Sequence, residues 1–281
     1  MMNAIEVKNL TKRYSDFTLD KISFTLPMGC IMGLIGENGA GKSTTIKLLL
    51  DAITRDDGEI FILGKNNKDN FKATKEDIGV VLDEAHFPES INPKQVNSIM
   101  KNTYKNWDEN TFFNYMKQFE LPLKKSFKDF SRGMRMKLMI AVALSHDAKL
   151  LILDEATSGL DPIVRDEILE LFYEFTRRED HSILISSHIV SDLEKLCDYI
   201  AFIHKGKMLF VEEKDVLLDN YRILKCSKDD FENVDSDCIV GLRKSPYGVE
   251  ALVLKEKINP VFNLEKPTIE DIIVFMAKEE K

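Results

Sequence analysis

Cysteine is scarce in this chain: 281 residues hold four, Cys30, Cys197, Cys226 and Cys238, with no CxxC pair and no metal-ligand spacing. No zinc site is implied, and reduced thiols in a cytosolic protein are expected. Long hydrophobic runs are missing too. The longest are strand-length pieces such as CIMGLIG and LLIL, far short of the roughly 18 apolar residues of a membrane-crossing helix. The opening MMNAIEVKNLTKRY is polar and charged where a secretory signal needs an apolar core, so secretion is not expected. Positive charge is in deficit, with 39 Lys and Arg against 47 Asp and Glu and a net charge of −8. That balance argues against wholesale nucleic-acid binding, although a local basic patch stays open. Glycine and proline, 13 and 8, are too few for disorder or low complexity, and no internal repeat is visible.

What is present suits a folded globular chain. With 44% hydrophobic and 31% charged residues, the chain can bury the core of one large domain plus a small one, or of two. Residues 5–10 (IEVKNL) and 17–26 (FTLDKISFTL) alternate apolar with polar, the pattern of half-buried antiparallel strands. CIMGLIG then feeds a glycine-rich turn and the apolar-periodic TTIKLLLDAI, so strand, loop and helix follow in order.

That loop, GENGAGKS at residues 36–43, fits GxxxxGK[ST] in the context the motif requires. By average glycine usage such a match arises by chance in about one chain in a hundred of this length. Gly36, Gly39 and Gly41, with Glu37, Asn38 and Ala40 between them, let backbone amides turn around phosphate oxygens at the start of a helix. Lys42 reaches the outer phosphates, Ser43 offers a hydroxyl to Mg²⁺, and Thr44 adds a phosphate contact.

A phosphate loop needs an acid on a neighbouring strand to hold the metal, and KLLILDE supplies Asp154. Glu155, one residue on, is placed to face the γ-phosphate and polarise the attacking water as a general base. An isolated acid pair is usually a solvated turn; the apolar run before this one instead predicts a strand buried on both faces of a parallel sheet, at whose carboxyl end ligands gather. In SGLDP, Asp161 reads as an N-cap with Pro162 at the first helical position, and Ile163, Ile168, Leu171, Phe172 and Phe175 mark an amphipathic helix. The strand SILIS leads to His188, either structural or a switch that hydrogen-bonds the γ-phosphate.

In this order the motifs resemble the nucleotide-binding subunit of an ATP-binding cassette (ABC) transporter over residues 3–212. GENGAGKST is similar to its Walker A, LLILDE to its Walker B with catalytic Glu155, SGLD to its D-loop and His188 to its switch histidine. The resemblance implies that Tyr14 stacks on adenine; a half-buried strand tyrosine is the other reading. It also implies that FSRGMRMK, residues 130–137, is the signature loop that touches ATP on the opposite subunit. Ser131, Arg132, Gly133 and Met134, with Asp161 of the D-loop, would then bind in trans. Arg132 and Met134 depart from the family's glycine and glutamine, and Arg132 either adds charge there or points to water. Where the family has a glutamine contacting Mg²⁺, IGVVLD places Asp83, a charged metal ligand unless the register is off by one. The Met-rich helix after the signature loop reads as core packing.

The expected fold is α/β: a P-loop NTPase core with a mainly parallel sheet, an N-terminal antiparallel β subdomain, an inserted helical subdomain at about 86–149, and a small C-terminal α+β appendage. The helical part reads as PKQVNSIMKNTYKNW and NTFFNYMKQFEL, broken by Pro122. Residues 1–214 form the cassette and 218–281 the accessory domain, which ends in PTIEDIIVFMAKEE with Thr268 and Asp271 as a capping box. Such an ending occurs in the drug- and bacitracin-exporter branch. The resemblance implies an ATPase using ATP and Mg²⁺, a second nucleotide-binding subunit in a homodimer or heterodimer, a separate integral membrane permease, no nucleic acid, and a cytoplasmic position peripheral on the inner face of the membrane. Rival readings are a soluble ABC ATPase acting on DNA or ribosomes, and a nucleotide-sensing module with little turnover. Only 89 residues separate Lys42 from Ser131, too few for the long coiled coil of the repair enzymes, and Glu155 argues against a mere sensor.

Overall fold

The computed structural model describes residues 2–69, 71–83, 87–246, 248–259 and 261–277. His86, where the helical subdomain is expected to begin, and Lys278, Glu279 and Glu280 of the expected C-terminal helix stretch lie outside the described residues. The first elements are β1 (Asn3–Arg13), β2 (Thr18–Pro27), β3 (Ile31–Ile35), α1 (Lys42–Leu49), β4 (Asp57–Ile62), β5 (Lys65–Asn66), α2 (Phe71–Lys75) and β6 (Ile78–Val81). The helices α3 (Pro93–Thr103), α4 (Glu109–Gln118) and α5 (Arg132–Leu144) follow, then β7 (Leu150–Asp154), α6 (Pro162–Phe175), β8 (Ser182–Ser187), α7 (Val190–Leu196), β9 (Tyr199–His204) and β10 (Lys207–Glu213). The chain closes with α8 (Lys214–Asn220), β11 (Tyr221–Cys226), α9 (Lys228–Phe231), β12 (Ile239–Ser245), β13 (Gly248–Leu254), β14 (Leu264–Glu265) and α10 (Ile269–Met276).

Among the described residues three sheets form, in the orders β2-β1-β4-β5, β10-β9-β3-β8-β7-β6 and β12-β13-β11-β14. The first is antiparallel, as its alternating sequence predicts. In the second, β9, β3, β8, β7 and β6 run parallel, and only β10 turns back. Its strands are apolar runs because both faces are covered. Met32, Leu34, Ile152 and Leu184 face α1 and the antiparallel sheet. Ile31, Leu151, Leu153 and Ile185 face the helices α4 to α7. Burying each such side chain contributes about 1.5–3 kcal/mol, which anchors the parallel sheet whose carboxyl ends carry the site.

Local signals set the helix starts. In α3, Asn92 and Gln95 form a reciprocal capping box with Pro93 behind it. In α6, Asp161 Oδ1 accepts from the Val164 amide at 3.1 Å. Two expectations need correction. Ile163 is 73% exposed, because its i+3 and i+4 neighbours are Asp166 and Glu167; the buried stripe runs through Ile168, Leu171 and Phe172. The break after α4 comes before Pro122: the helix stops at Gln118, and Glu120 takes a left-handed φ of +55°.

The last 60-odd residues fold as the expected strands and helix. Leu224, Ala251 and Val253 pack with Cys238 and Ile258 on one sheet face. On the other, Ile223 and Leu252 lie with Ile269, Ile272 and Phe275 of α10 in the same core as Leu193 and Leu196 of α7. The expected capping box is present, with Asp271 N donating to Thr268 Oγ1 at 3.1 Å and Thr268 N to Asp271 Oδ2 at 2.9 Å.

Candidate active site

The loop between β3 and α1 passes so close to β9 that a Cβ at Gly36 would lie 2.4 Å from the Ile203 carbonyl oxygen, a contact only glycine avoids. Gly41 leads into α1 with φ +116°, and Ala40 O accepts from the Gly206 amide at 3.0 Å. First-turn helix amides have no intrahelical partner, and their bearers Lys42, Ser43 and Thr44 line a cleft of about 750 Å³. Glu37, Asn38 and Gly39 line it too, while Gly36 and Ala40 are buried behind it. Lys42 is buried; its Nζ donates to Gly36 O at 2.7 Å and Glu37 O at 3.3 Å and lies 3.7 Å from Glu155 Oε1.

Opposite this loop, parallel pairing sets Asp154 beside Ser186, whose hydroxyl donates to Asp154 Oδ1. Asp154 is buried. Glu155 follows with φ +53°, a left-handed turn that costs a non-glycine residue about 1–3 kcal/mol and is kept where the surroundings hold it. Here its amide donates to Ser186 O at 3.1 Å, and its Oε2 lies 2.6 Å from Nδ1 of the exposed His188. At that distance the carboxylate accepts from the Nδ1–H tautomer.

Tyr14 and Phe17 give the cleft an aromatic lining. Tyr14, 45% exposed just past β1, lies with its ring 6.5 Å from that of Phe17, so it is not a strand residue. Asp83 lines the cleft and pairs with Arg132 Nη2 at 3.1 Å, both side chains being largely exposed. None of Ser131, Arg132, Gly133, Met134 and Asp161 lines the cleft of their own chain. Ser131 caps α5, accepting from the Met134 amide at 3.3 Å.

Phe17 and Ser186 are not picked out by the sequence, and Ser158 enters it only as the first residue of SGLD. Phe17 sits in an alternating strand pattern, and Ser186 carries no motif signal of its own.

Ser43 and Asp83 line the cleft, while Asp154 is buried next to Glu155 with Ser186 on its Oδ1; hydroxyl and carboxylate oxygens of this kind suit a hard divalent cation. Among the described residues no group of three or more His, Cys, Asp or Glu is placed to hold a metal unaided. A magnesium ion bound here would draw further ligands from phosphate and water.

Comparisons with known proteins name the family. The family profile described as "ABC transporter" matches residues 19–158. The bacitracin transport ATP-binding protein BcrA of Bacillus licheniformis is 36% identical over 215 residues, 74% of this chain and 69% of its own. The lantibiotic transport ATP-binding protein SrtF of Streptococcus pyogenes is 36% identical over 216 residues, 75% of this chain and 91% of its own. A solved ATP-binding subunit of an ABC transporter superposes with a TM-score of 0.70 at 28% identity, covering 76% of this chain and 91% of the other. With a phosphate loop, a paired acid and a histidine joined at the carboxyl ends of one parallel sheet, the chain belongs to the ABC transporter family, as its ATP-binding and ATP-hydrolysing subunit.

Proposed function

We propose that this cassette closes with a second one, identical or similar, around two ATP molecules, and that closure and hydrolysis drive a separately encoded membrane permease working as an exporter. The observation that carries the hydrolytic half is the Glu155 carboxylate, 3.7 Å from Lys42 Nζ and 2.6 Å from His188 Nδ1. Tyr14, with Phe17 beside it, stacks on adenine. The amides of residues 36–41, with Thr44, hold the phosphates, and Lys42 neutralises the outer ones. Ser43, Asp154 and Asp83 would hold Mg²⁺, which would supply positive charge against the phosphates.

Glu155 takes the proton of the water that attacks the γ-phosphorus as the bond to the β,γ-bridging oxygen breaks. With Nδ1 of His188 committed to Glu155, Nε2 is the nitrogen left for the γ-phosphate, and it donates there when it too carries a proton. Ser131, Arg132, Gly133, Met134 and Asp161 complete the site of the opposite subunit.

The relatives named for bacitracin and lantibiotic transport make a peptide antibiotic our reading of the cargo. Among the described residues no helix is long and apolar enough to cross a membrane, so the permease is what holds the cassette, peripherally, at the inner face. Residues 1–214 are the cassette and 218–281 an accessory domain leaning on α7 through α10.

Glu155→Gln tests the reading: ATP affinity stays, while hydrolysis falls about 10²- to 10⁴-fold, the usual share of a general base. Lys42→Ala instead weakens binding itself. Undiminished turnover in Glu155→Gln sinks the assignment, and equal ATP affinity in the two variants contradicts the division of roles.

A further inference from the structure

Two helices leave the site, α6 after the turn that follows Glu155 and α7 after His188, and a charge pair joins them inside the protein. Arg165, near the start of α6, donates from Nη2 to Leu160 O at 3.3 Å, and its Nε lies 3.7 Å from Asp192 Oδ2 on α7. The Asp192 side chain is 6% exposed and that of Arg165 27%. Arg165 Nε and Asp192 Oδ2 are both shielded from solvent, and neither makes a direct hydrogen bond. Leu160 belongs to the turn 158–161, whose Ser158 lines the cleft and whose amide at Ser158 donates to Glu155 O at 3.0 Å. Asp192 stands four residues after His188, its amide on Ile189 O at 3.3 Å.

Cohesion alone is a poor account of this pair. Taking two charges out of water is unfavourable, and a 3.7 Å contact without a hydrogen bond returns less than a bidentate one. The helices are already tied at their other ends, where the Tyr173 hydroxyl donates to Lys195 O. What the guanidinium adds is position: it fixes a carbonyl of the 158–161 turn relative to the start of α7.

We propose that Arg165 and Asp192 are positioning residues for ATP hydrolysis, one guanidinium spanning the turn that carries Ser158 and the helix that opens after His188. The pair thereby sets where His188 stands on Glu155. Asp161, the next residue after Leu160, faces the second subunit in the function proposed above, so Arg165 is also the short link by which that subunit's arrival reaches His188. This inference rests on the reading of Glu155 and His188 given there.

Three variants decide it: Asp192→Asn, Arg165→Met, and the double Arg165→Met with Asp192→Leu, which leaves no buried charge alone. kcat and KM for ATP are measured where activity per chain has levelled off with concentration, and kcat is divided by the folded fraction from circular dichroism. kcat per folded chain falls about 10- to 100-fold in all three with KM within about twofold, since a displacement near an ångström costs turnover while the phosphate loop is untouched. A merely structural pair behaves otherwise: the double variant regains thermal stability and full kcat together. Wild-type kcat per folded chain in any of the three, or a loss carried by KM, overturns the proposal. Failure of the underlying reading shows separately, as Glu155→Gln turning over as fast as wild type.

Discussion

His188 Nδ1 lies 2.6 Å from Glu155 Oε2, although 33 positions separate them in the chain. The sheet makes them meet. β7 and β8 are parallel neighbours with Asp154 opposite Ser186, so the residues just past each strand emerge side by side. Lys42 approaches the other carboxylate oxygen at 3.7 Å, and the Glu155 side chain is held from both sides.

His188→Ala therefore lowers kcat by about 10- to 100-fold, since a hydrogen bond to a charged group contributes about 1.5–3 kcal/mol. ATP affinity falls far less than in Lys42→Ala, because only the γ-phosphate contact of Nε2 is lost and the phosphate loop is untouched. Steady-state ATPase assays beside nucleotide titrations check this, and an unchanged kcat means the contact is idle in turnover.

Asp83 has two claims on it, the metal and Arg132. If it contacts Mg²⁺, Asp83→Asn raises the Mg²⁺ concentration for half-maximal ATPase activity, because a charged oxygen ligand becomes neutral. Arg132→Ala shifts that concentration the opposite way by freeing Asp83. The second shift is small, about fivefold at most, because exposed ion pairs are worth about 0–1 kcal/mol. Identical Mg²⁺ curves for all three chains would remove Asp83 from the metal site.

Ser131 and Gly133 lie off their own chain's cleft, so each complete site is expected to need two chains. Activity per chain then rises with protein concentration before levelling off. Mixing Lys42→Ala with Ser131→Arg chains restores part of the activity, since a mixed dimer gathers both lesions in one composite site and leaves the other intact. A dead mixture whose parent shows no dependence on dilution contradicts shared sites. Repeating the series with co-purified permease tests tethering, which raises the effective concentration of one cassette near the other.

A pH effect is expected away from the site. His146 is buried and stacked on Tyr104 with ring centroids 4.0 Å apart, its two ring nitrogens each 3.2 Å from a carbonyl, Val142 O and Ile78 O. Burial pulls its pKa below the ordinary histidine value of 6.5, with the two carbonyls opposing. Between that lowered value and 6.5 the unfolded chain binds more protons, so this residue's share of stability is present above 6.5 and is lost as pH falls through the folded value. His146→Phe lowers Tm at neutral pH by losing the one carbonyl hydrogen bond that a neutral ring can donate, but flattens the fall of Tm on acidification. Parallel Tm-against-pH curves for the two chains would contradict the assignment.

The phosphate loop was legible in the sequence because its parts are consecutive: the backbone amides of residues 36–41, Lys42 and Ser43 need only a strand before them and a helix after. The caps at Asp161 and Thr268 are likewise local, each closing within three residues. Buried apolar runs announced the parallel strands, since covering both faces of a strand leaves no room for alternation. Ile163 shows the limit of such reading, because one apolar residue at a helix start does not say which stripe it joins. Glu155 with His188, Asp83 with Arg132, and Arg165 with Asp192 meet across 33, 49 and 27 positions. The left-handed turn at Glu155 is held from Ser186. Those relationships belong to strand order and register, set by which apolar faces bury against one another over the whole chain, so only the folded structure decided them.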